Sequence, residues 1–475
     1  MSLYITKKNF IAAVVTCITF VIVYVLTVGA QNVAAHDFFV YFTFGLNGVL
    51  WLVFLLNELN KHAFSLVLVH WLFCIFFFFF AGIIQTLNND YPWVDPYSDA
   101  TLVATNLILL LWSILFRFGV YKAATIQLTI GKKNIEKTLK KQFEERNFTG
   151  WTGYKSKVNI LMIIAVFITV YRVVNIGFIN LLARGTSSFS VSENSSISVF
   201  VEKTAMALVY FAFIYAVFKW EDEKKPLPII VTGFCLLLSY FPTSTARNAI
   251  AGLYFGALLA MFPKMKKNKW FISLYLLIFM IAFPMLNAFR TVSILDVNLG
   301  QVVVNVLENF SSGWLAVDYD AYSMVALSLT FLKDHGITMG MQLVGVILFF
   351  VPRSIWPTKP IGTGTMIAEY YGWWFTNVSE PLPAEMLVNF GIVGMAVCAI
   401  LIGFLLGKID LYFWRNISDN PRMIHRFDAL YYYMVGYFLF LYRGSLLSCF
   451  AYLVPLVLVW LVLTWNHREI SESDR

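Results

Sequence analysis

The chain has 475 residues, of which 59% are hydrophobic and only 13% charged, and its mean hydropathy is +0.71. Soluble proteins carry roughly 25% charged residues, so a soluble globular enzyme is excluded and an all-α polytopic membrane protein is expected. Outer-membrane barrels are excluded too, because their strands alternate and lack long apolar runs. The formal charge of +8 comes largely from loops on one side of the membrane and does not argue for nucleic acid.

A span needs about 20 mostly apolar residues. Twelve candidates follow one another: Phe10–Gly29, Phe38–Leu56, Ala63–Ile84, Leu102–Phe118, Val158–Ile176, Val199–Phe218, Leu227–Tyr240, Ala249–Phe262, Phe271–Phe289, Glu385–Gly407, Leu430–Tyr442 and Leu446–Trp465. Lys7 and Lys8 precede the first without a convincing cleavage site, so an uncleaved span is expected there. Leu343–Val351 is apolar but too short to cross, and reads as a re-entrant or interfacial helix. Three regions result: 1–289 with nine spans and a basic loop at 121–157, a large loop at 290–384, and 385–475 with three spans. Most of the 35 lysines and arginines fall in the segments that share a side with the N-terminus. The positive-inside rule therefore places both termini in the cytoplasm.

The inner loop Tyr121–Lys157 reads as a basic amphipathic helix or a solvated loop beside an anionic leaflet. Its Gly131-Lys132-Lys133 lacks the upstream glycine of a phosphate-binding loop. The five cysteines sit inside apolar spans and make no disulfide frame. The six histidines show no metal-binding spacing, so no metal and no cofactor are expected. Outside, Asn88–Asp99 is acidic and aromatic, and Asn180–Ser198 is serine-rich.

The stretch Phe349–Gly394 differs from its apolar flanks. It holds Pro352, Pro357, Pro360, Pro381 and Pro383, interleaved with glycines, charges and aromatics. Proline cannot continue a helix and glycine permits φ > 0, so a tightly turned segment is expected. Irregular backbone in a membrane protein must face water or protein, and crowded charges and aromatics suit binding.

The outer cations are Arg172, Arg184, Lys203, Arg247, Arg290, Lys333, Arg353, Lys359 and Arg443. They are mostly arginine, whereas the inner cations are mostly lysine. Positive charge outside opposes the topology signal, and arginine suits two-pronged recognition of phosphate or carboxylate. Arg247 and Arg443 lie in turns between spans, and Ser244-Thr245-Ala246 before Arg247 reads as a helix cap. Ionisable groups at membrane depth are functional candidates, set against internal pairing with Glu202, Glu308, Asp318 or Asp320. The expectation is a basic outer-leaflet cavity for a lipid that carries phosphate or pyrophosphate. Trp356, Tyr370, Tyr371, Trp373 and Trp374 would stack on sugar rings, or form part of an interfacial aromatic belt.

The runs VPRSIWPTKP, GTGTMIAEYYG and PAEMLVNFGIVGM, with the hairpin STARNAI, resemble the bacterial oligosaccharide repeat-unit polymerases, the Wzy-type enzymes of O-antigen, capsule and exopolysaccharide synthesis. The resemblance implies a GT-C-like glycosyltransferase of the cytoplasmic membrane, whose partners are undecaprenyl-pyrophosphate-linked oligosaccharides, membrane lipids and a chain-length regulator. By similarity, Arg247 matches the hairpin arginine, Arg353 and Lys359 the basic positions of the proline-rich run, and Glu385 the acid before NFG-x-x-G. Pyrophosphate would be held by Arg247, Arg290, Arg353 and Lys359, with Arg172 and Arg443. The base would be Glu385, then Glu369, Glu380 or His335. Capping of its own helix is the structural alternative for Glu385. Gly391, Gly394, Gly403 and Gly407 are expected to serve close helix packing. No clear histidine accompanies the acid, unlike the related O-antigen ligases. A lipid-linked oligosaccharide flippase and a ligase are the alternatives.

Overall fold

The computed structural model describes residues 34–138, 152–182, 196–262, 265, 270–278, 300, 304, 312–419 and 424–465. Among them the fold is all-helical, with one isolated bridge, Tyr91 to Val94, and no strand. Among the described residues seven helices are long and apolar enough to cross a membrane. The candidate span Phe10–Gly29 lies outside the described residues, as does most of Phe271–Phe289.

The helices in chain order are α1 (Phe38–Lys61), α2 (Leu66–Asn88), α3 (Asp99–Thr138), α4 (Tyr154–Ile176), α5 (Ser196–Glu223) and α6 (Leu227–Ser239). Then come α7 (Arg247–Ile250, running on through a π turn to Met261), α8 (Trp270–Leu277), α9 (Ala321–His335), α10 (Met341–Ile347), α11 (Thr363–Tyr370), α12 (Leu382–Asp419), α13 (Asp428–Arg443) and α14 (Leu446–Thr464).

Helix α2 is the axis of the bundle. Its run Cys74–Phe80 is apolar on every side, and α2 is buried on every side as well, which an all-round apolar helix requires. Asp410 of α12 accepts the first amides of α2, Leu66 N at 2.9 Å and Val67 N at 3.0 Å, together with the Tyr431 hydroxyl at 2.6 Å. These amides would otherwise lack partners at the helix start. The outer helices are two-faced. α1 buries Phe44, Trp51 and Leu55 but exposes Phe38, Phe39, Phe42 and Val49, and α4 exposes Ile163, Phe167 and Val174. So much outward apolar surface fits hydrocarbon, not water.

Helices α3 and α12 pack along one another over a long contact. Side-chain-free glycines make this possible: a Cβ on Gly403 would collide with the Phe116 carbonyl, and one on Gly119 with the Ile400 carbonyl. The packing role expected for Gly403 therefore holds. α3 runs 40 residues, about 60 Å at 1.5 Å per residue, and continues as helix past Phe118 to Thr138. Residues 139–151 of the basic loop lie outside the described residues.

Three comparisons with the sequence expectations concern the site. First, 312–384 is not an open loop. α9 is buried along most of its length and packs against α12, α3 and α2. At 15 residues it is too short to register as a span. Second, α10 is a seven-residue helix that exposes Met341, Val344 and Ile347 and buries Gln342, Gly345 and Val346, matching the short interfacial element expected there. Third, Gly391 does not serve close packing. It breaks α12 at φ 68°, ψ −170°, and the carbonyls freed before it, Val388 O and Asn389 O, accept the amides of Thr338 (2.9 Å) and Gly340 (3.2 Å). A Cβ at Gly391 would meet nothing closer than Ile337 Cγ2 at 3.5 Å, so the constraint is the backbone itself. Gly391→Ala is expected to cost about 1–3 kcal/mol, read as a lower melting midpoint in detergent; an unchanged midpoint would mean that the break does not need glycine.

Candidate functional site

The site forms where several helix ends meet. A 3-10 turn, Val317–Tyr319, leads into α9 and presents Asp318 and Asp320. Two arginines from distant turns converge on it. Arg247 opens α7 after a hairpin closed by the Ser244 and Thr245 amides on Phe241 O. The Ser244 hydroxyl donates back to Phe241 O at 3.2 Å, so it closes the hairpin and does not cap α7. Arg247 grips Asp318 with both prongs, at 3.0 and 2.5 Å. Arg443, the last residue of α13, donates to Asp320 Oδ1 at 2.9 Å and to Val317 O at 3.1 Å. Its position at a helix C-terminus also favours a cation. Its Nε is buried with no hydrogen-bond partner, which leaves a spare donor. Tyr319 lies between the two pairs: burial and then Asp318 push its phenol above the ordinary value, while Arg247 and Arg443 oppose them.

Asp320 is the hub. Besides Arg443 it accepts the Ser379 hydroxyl at 2.6 Å, the Ser379 amide at 3.3 Å and the Trp93 indole N–H at 3.2 Å. Two further acids follow Ser379 in the chain, Glu380 at once and Glu385 six residues on. Glu380 is fully buried, with Oε1 at 2.8 Å from the Ser328 hydroxyl of α9. Glu385, 1% exposed, accepts the Thr363 hydroxyl and the Asn389 amide. The Oε2 atoms of both carboxyls are buried without a hydrogen-bond partner. Both acids border the turn at Arg443–Leu446: Gly444 packs directly on the Glu380 backbone, and Gly362 packs on Ser445. Glu385 thus lies between the start of α11, which follows Gly362, and the start of α14, which follows Ser445. A carboxylate is favoured at such positive helix ends. Its side chain serves these neighbouring helices and not the start of its own.

Trp93 joins the acidic cluster to the aromatics. It stacks on Trp373 (5.8 Å) and Phe375 (5.3 Å), and Trp373 stacks on Tyr371 (6.3 Å). Trp93 holds φ at 77°, a costly conformation for a bulky residue, maintained only where the surroundings impose it. Trp93→Phe keeps a ring but removes the N–H bond to Asp320. The expected loss is about 1.5 kcal/mol of stability, measured by thermal melting. An unchanged midpoint would show that this bond does not tie the two segments together.

The other site residues fall in separate places. Lys359 is buried, and its ammonium donates to Phe349 O and to Val351 O (3.0 Å), while Arg353 donates to Lys359 O at 2.9 Å. These two cations fasten the proline-rich turn to itself; burial, and then Arg353, hold the Lys359 ammonium below its usual value. Arg172 lies over the Tyr240 ring at 4.8 Å. Arg290 and Glu308 lie outside the described residues, and Glu202 pairs with Lys203 at 3.1 Å. Glu369 is exposed at the end of α11 opposite to Thr363, about 9 Å along the axis. His335 is exposed and stacks on Phe331 (4.8 Å) beside Tyr370 (5.5 Å). Trp374 is 90% exposed, Tyr370 49%, and Trp356 half-buried, so open ring surface is found at these positions.

Of the cations singled out from the sequence, Arg247 and Arg443 come together; of the acids, Glu380 and Glu385. Trp93, Ser328, Thr363 and Ser379 join them without having been picked out individually. The acidic, aromatic composition of Asn88–Asp99 was the one local signal for Trp93. No family model, no curated protein and no solved structure matches the chain.

Proposed function

We propose that the chain is a GT-C-like membrane glycosyltransferase with twelve spans that polymerises lipid-pyrophosphate-linked oligosaccharide repeat units on the outer face of the bacterial cytoplasmic membrane. The reading rests on the resemblance of the proline-rich run and its flanks, and on one observation: two arginines from separate inter-helix turns meet at one acidic turn beside two buried, part-unpartnered carboxyls. Such a cluster is costly to build and has parts suited to group transfer.

In this reading Glu385 is the base. It takes the proton from the acceptor sugar hydroxyl, whose oxygen bonds to the anomeric carbon of the donor. The bond from that carbon to the pyrophosphate oxygen breaks, and the pyrophosphate leaves with the electron pair. Arg443, through its spare N–H, and Arg247 stabilise the charge that develops there. Lys359 and Arg353 keep the proline-rich turn in shape, while Tyr370, Trp374 and Trp356 offer ring faces to sugars. A flippase is the second reading, favoured by the break at Gly391, since discontinuous helices line transport pathways.

The deciding experiment incubates purified protein with the lipid-linked repeat unit alone. A ladder of longer glycans is the expected result. No ladder, combined with movement of the lipid-linked unit across a vesicle membrane, would replace the polymerase with the flippase.

A further inference from the structure

Glu380 and Glu385 lie in one buried stretch, and no lysine, arginine or histidine among the described residues bonds either carboxyl. Arg443, the cation of the adjoining turn, is bonded to Asp320 and Val317 O. Two unpaired anions so placed would repel each other in a medium that screens them poorly, so one of them is better held neutral.

The hydrogen-bond geometry identifies which. The Ser328 hydroxyl lies 2.7 Å from Met324 O and 2.8 Å from Glu380 Oε1. A hydroxyl has one hydrogen, and the carbonyl can only accept. With that hydrogen committed to Met324 O, the ordinary back-bond of a helical serine, the second contact is a hydrogen bond when Ser328 accepts from an Oε1–H of Glu380. Glu385 has the opposite surroundings. The Thr363 hydroxyl and the Asn389 amide both donate to it, and the starts of α11 and α14 adjoin it.

We infer that Glu380 carries a proton on Oε1 at neutral pH, donates it to Ser328, and by staying uncharged allows Glu385 to remain the ionised carboxylate of the pair. Glu380 is thereby a positioning residue. The groups facing it are Ser328 and Asp320 from the α9 segment, Ser379 and Glu385 from its own segment, and Gly444 of the turn that carries Arg443. Burial is the largest influence holding the Glu380 carboxyl well above the usual carboxylate range; Glu385 and Asp320 act in the same direction. What this does for sugar transfer rests on the polymerase reading. The proton itself does not.

Infrared spectroscopy of the whole protein in lipid nanodiscs tests it without substrate. At pH 7 the wild type is expected to show a protonated carboxylic-acid carbonyl band that shifts in heavy water. The band should disappear in Glu380→Gln, persist in Glu385→Gln and change frequency in Ser328→Ala, whose acceptor is gone. Absence of the band from the wild type, or its survival in Glu380→Gln, overturns the assignment. If Glu380→Gln does not fold, an unmoved band in Ser328→Ala overturns it as well. Because no lipid-linked sugar is added, a failed polymer ladder leaves this result intact.

Discussion

Arg443→Ala is expected to abolish polymer and to lower the melting midpoint in the same preparation. The substitution leaves Asp320, whose side chain is 1% exposed, with donors from Ser379 and Trp93 among the described residues. Removing one partner of a buried ion pair costs about 3–5 kcal/mol, and the 23% exposure of the Arg443 side chain puts this case near the lower end. Stability alone does not separate a structural arginine from one that meets substrate. The double variant Arg443→Ala/Asp320→Asn does, because it removes the stranded charge. It is expected to recover most of the midpoint and none of the polymer. Recovery of long chains in the double variant would reduce Arg443 to a strut and leave the pyrophosphate without its best-placed donor.

Glu385→Gln is the second large effect. The amide has nearly the shape of the carboxylate, and it keeps an oxygen for the Thr363 hydroxyl and the Asn389 amide. The fold is therefore expected to tolerate it, with a midpoint close to wild type. As a base it is useless, and loss of a general base lowers the rate by about 10²–10⁴-fold. The measurement is the initial rate of ladder growth from purified lipid-linked repeat unit, read beside the melting curve. Full activity in Glu385→Gln would remove the base assignment; a collapse of the midpoint would return Glu385 to a purely architectural part between α11 and α14.

Much of the fold could be read from hydropathy because a bilayer imposes length and apolarity locally. Spans such as Phe38–Leu56, Val158–Ile176 and Leu446–Trp465 reappear with small shifts at their ends. Gly403 could be read as a packing residue for the same reason. What escaped the sequence is non-local or short. α9 is buried yet too brief to announce itself, so its residues read as part of an outer loop. Asp318 and Asp320 were candidate acid mates among several, and nothing local ties Asp320 to Arg443, which lies over a hundred residues downstream. The carbonyls of Phe349 and Val351 that hold Lys359 are invisible in the sequence, because they become its partners only once the turn has closed. Trp93 was hidden for the reason that makes it informative: its backbone conformation is one that sequence preference argues against.

The break at Gly391 has a mechanical consequence. Beyond it, α12 presents Val393, Val397, Leu401 and Leu405 outward, and such a surface tilts when the surrounding bilayer thins or thickens. A continuous rod would transmit that tilt to its upper end. Here the upper piece, Leu382–Phe390, is a separate short segment pinned by the Thr338 and Gly340 amides. A tilt of the long piece is therefore expected to stop at this break, leaving Glu385 of the short piece in registry with the helix starts around it.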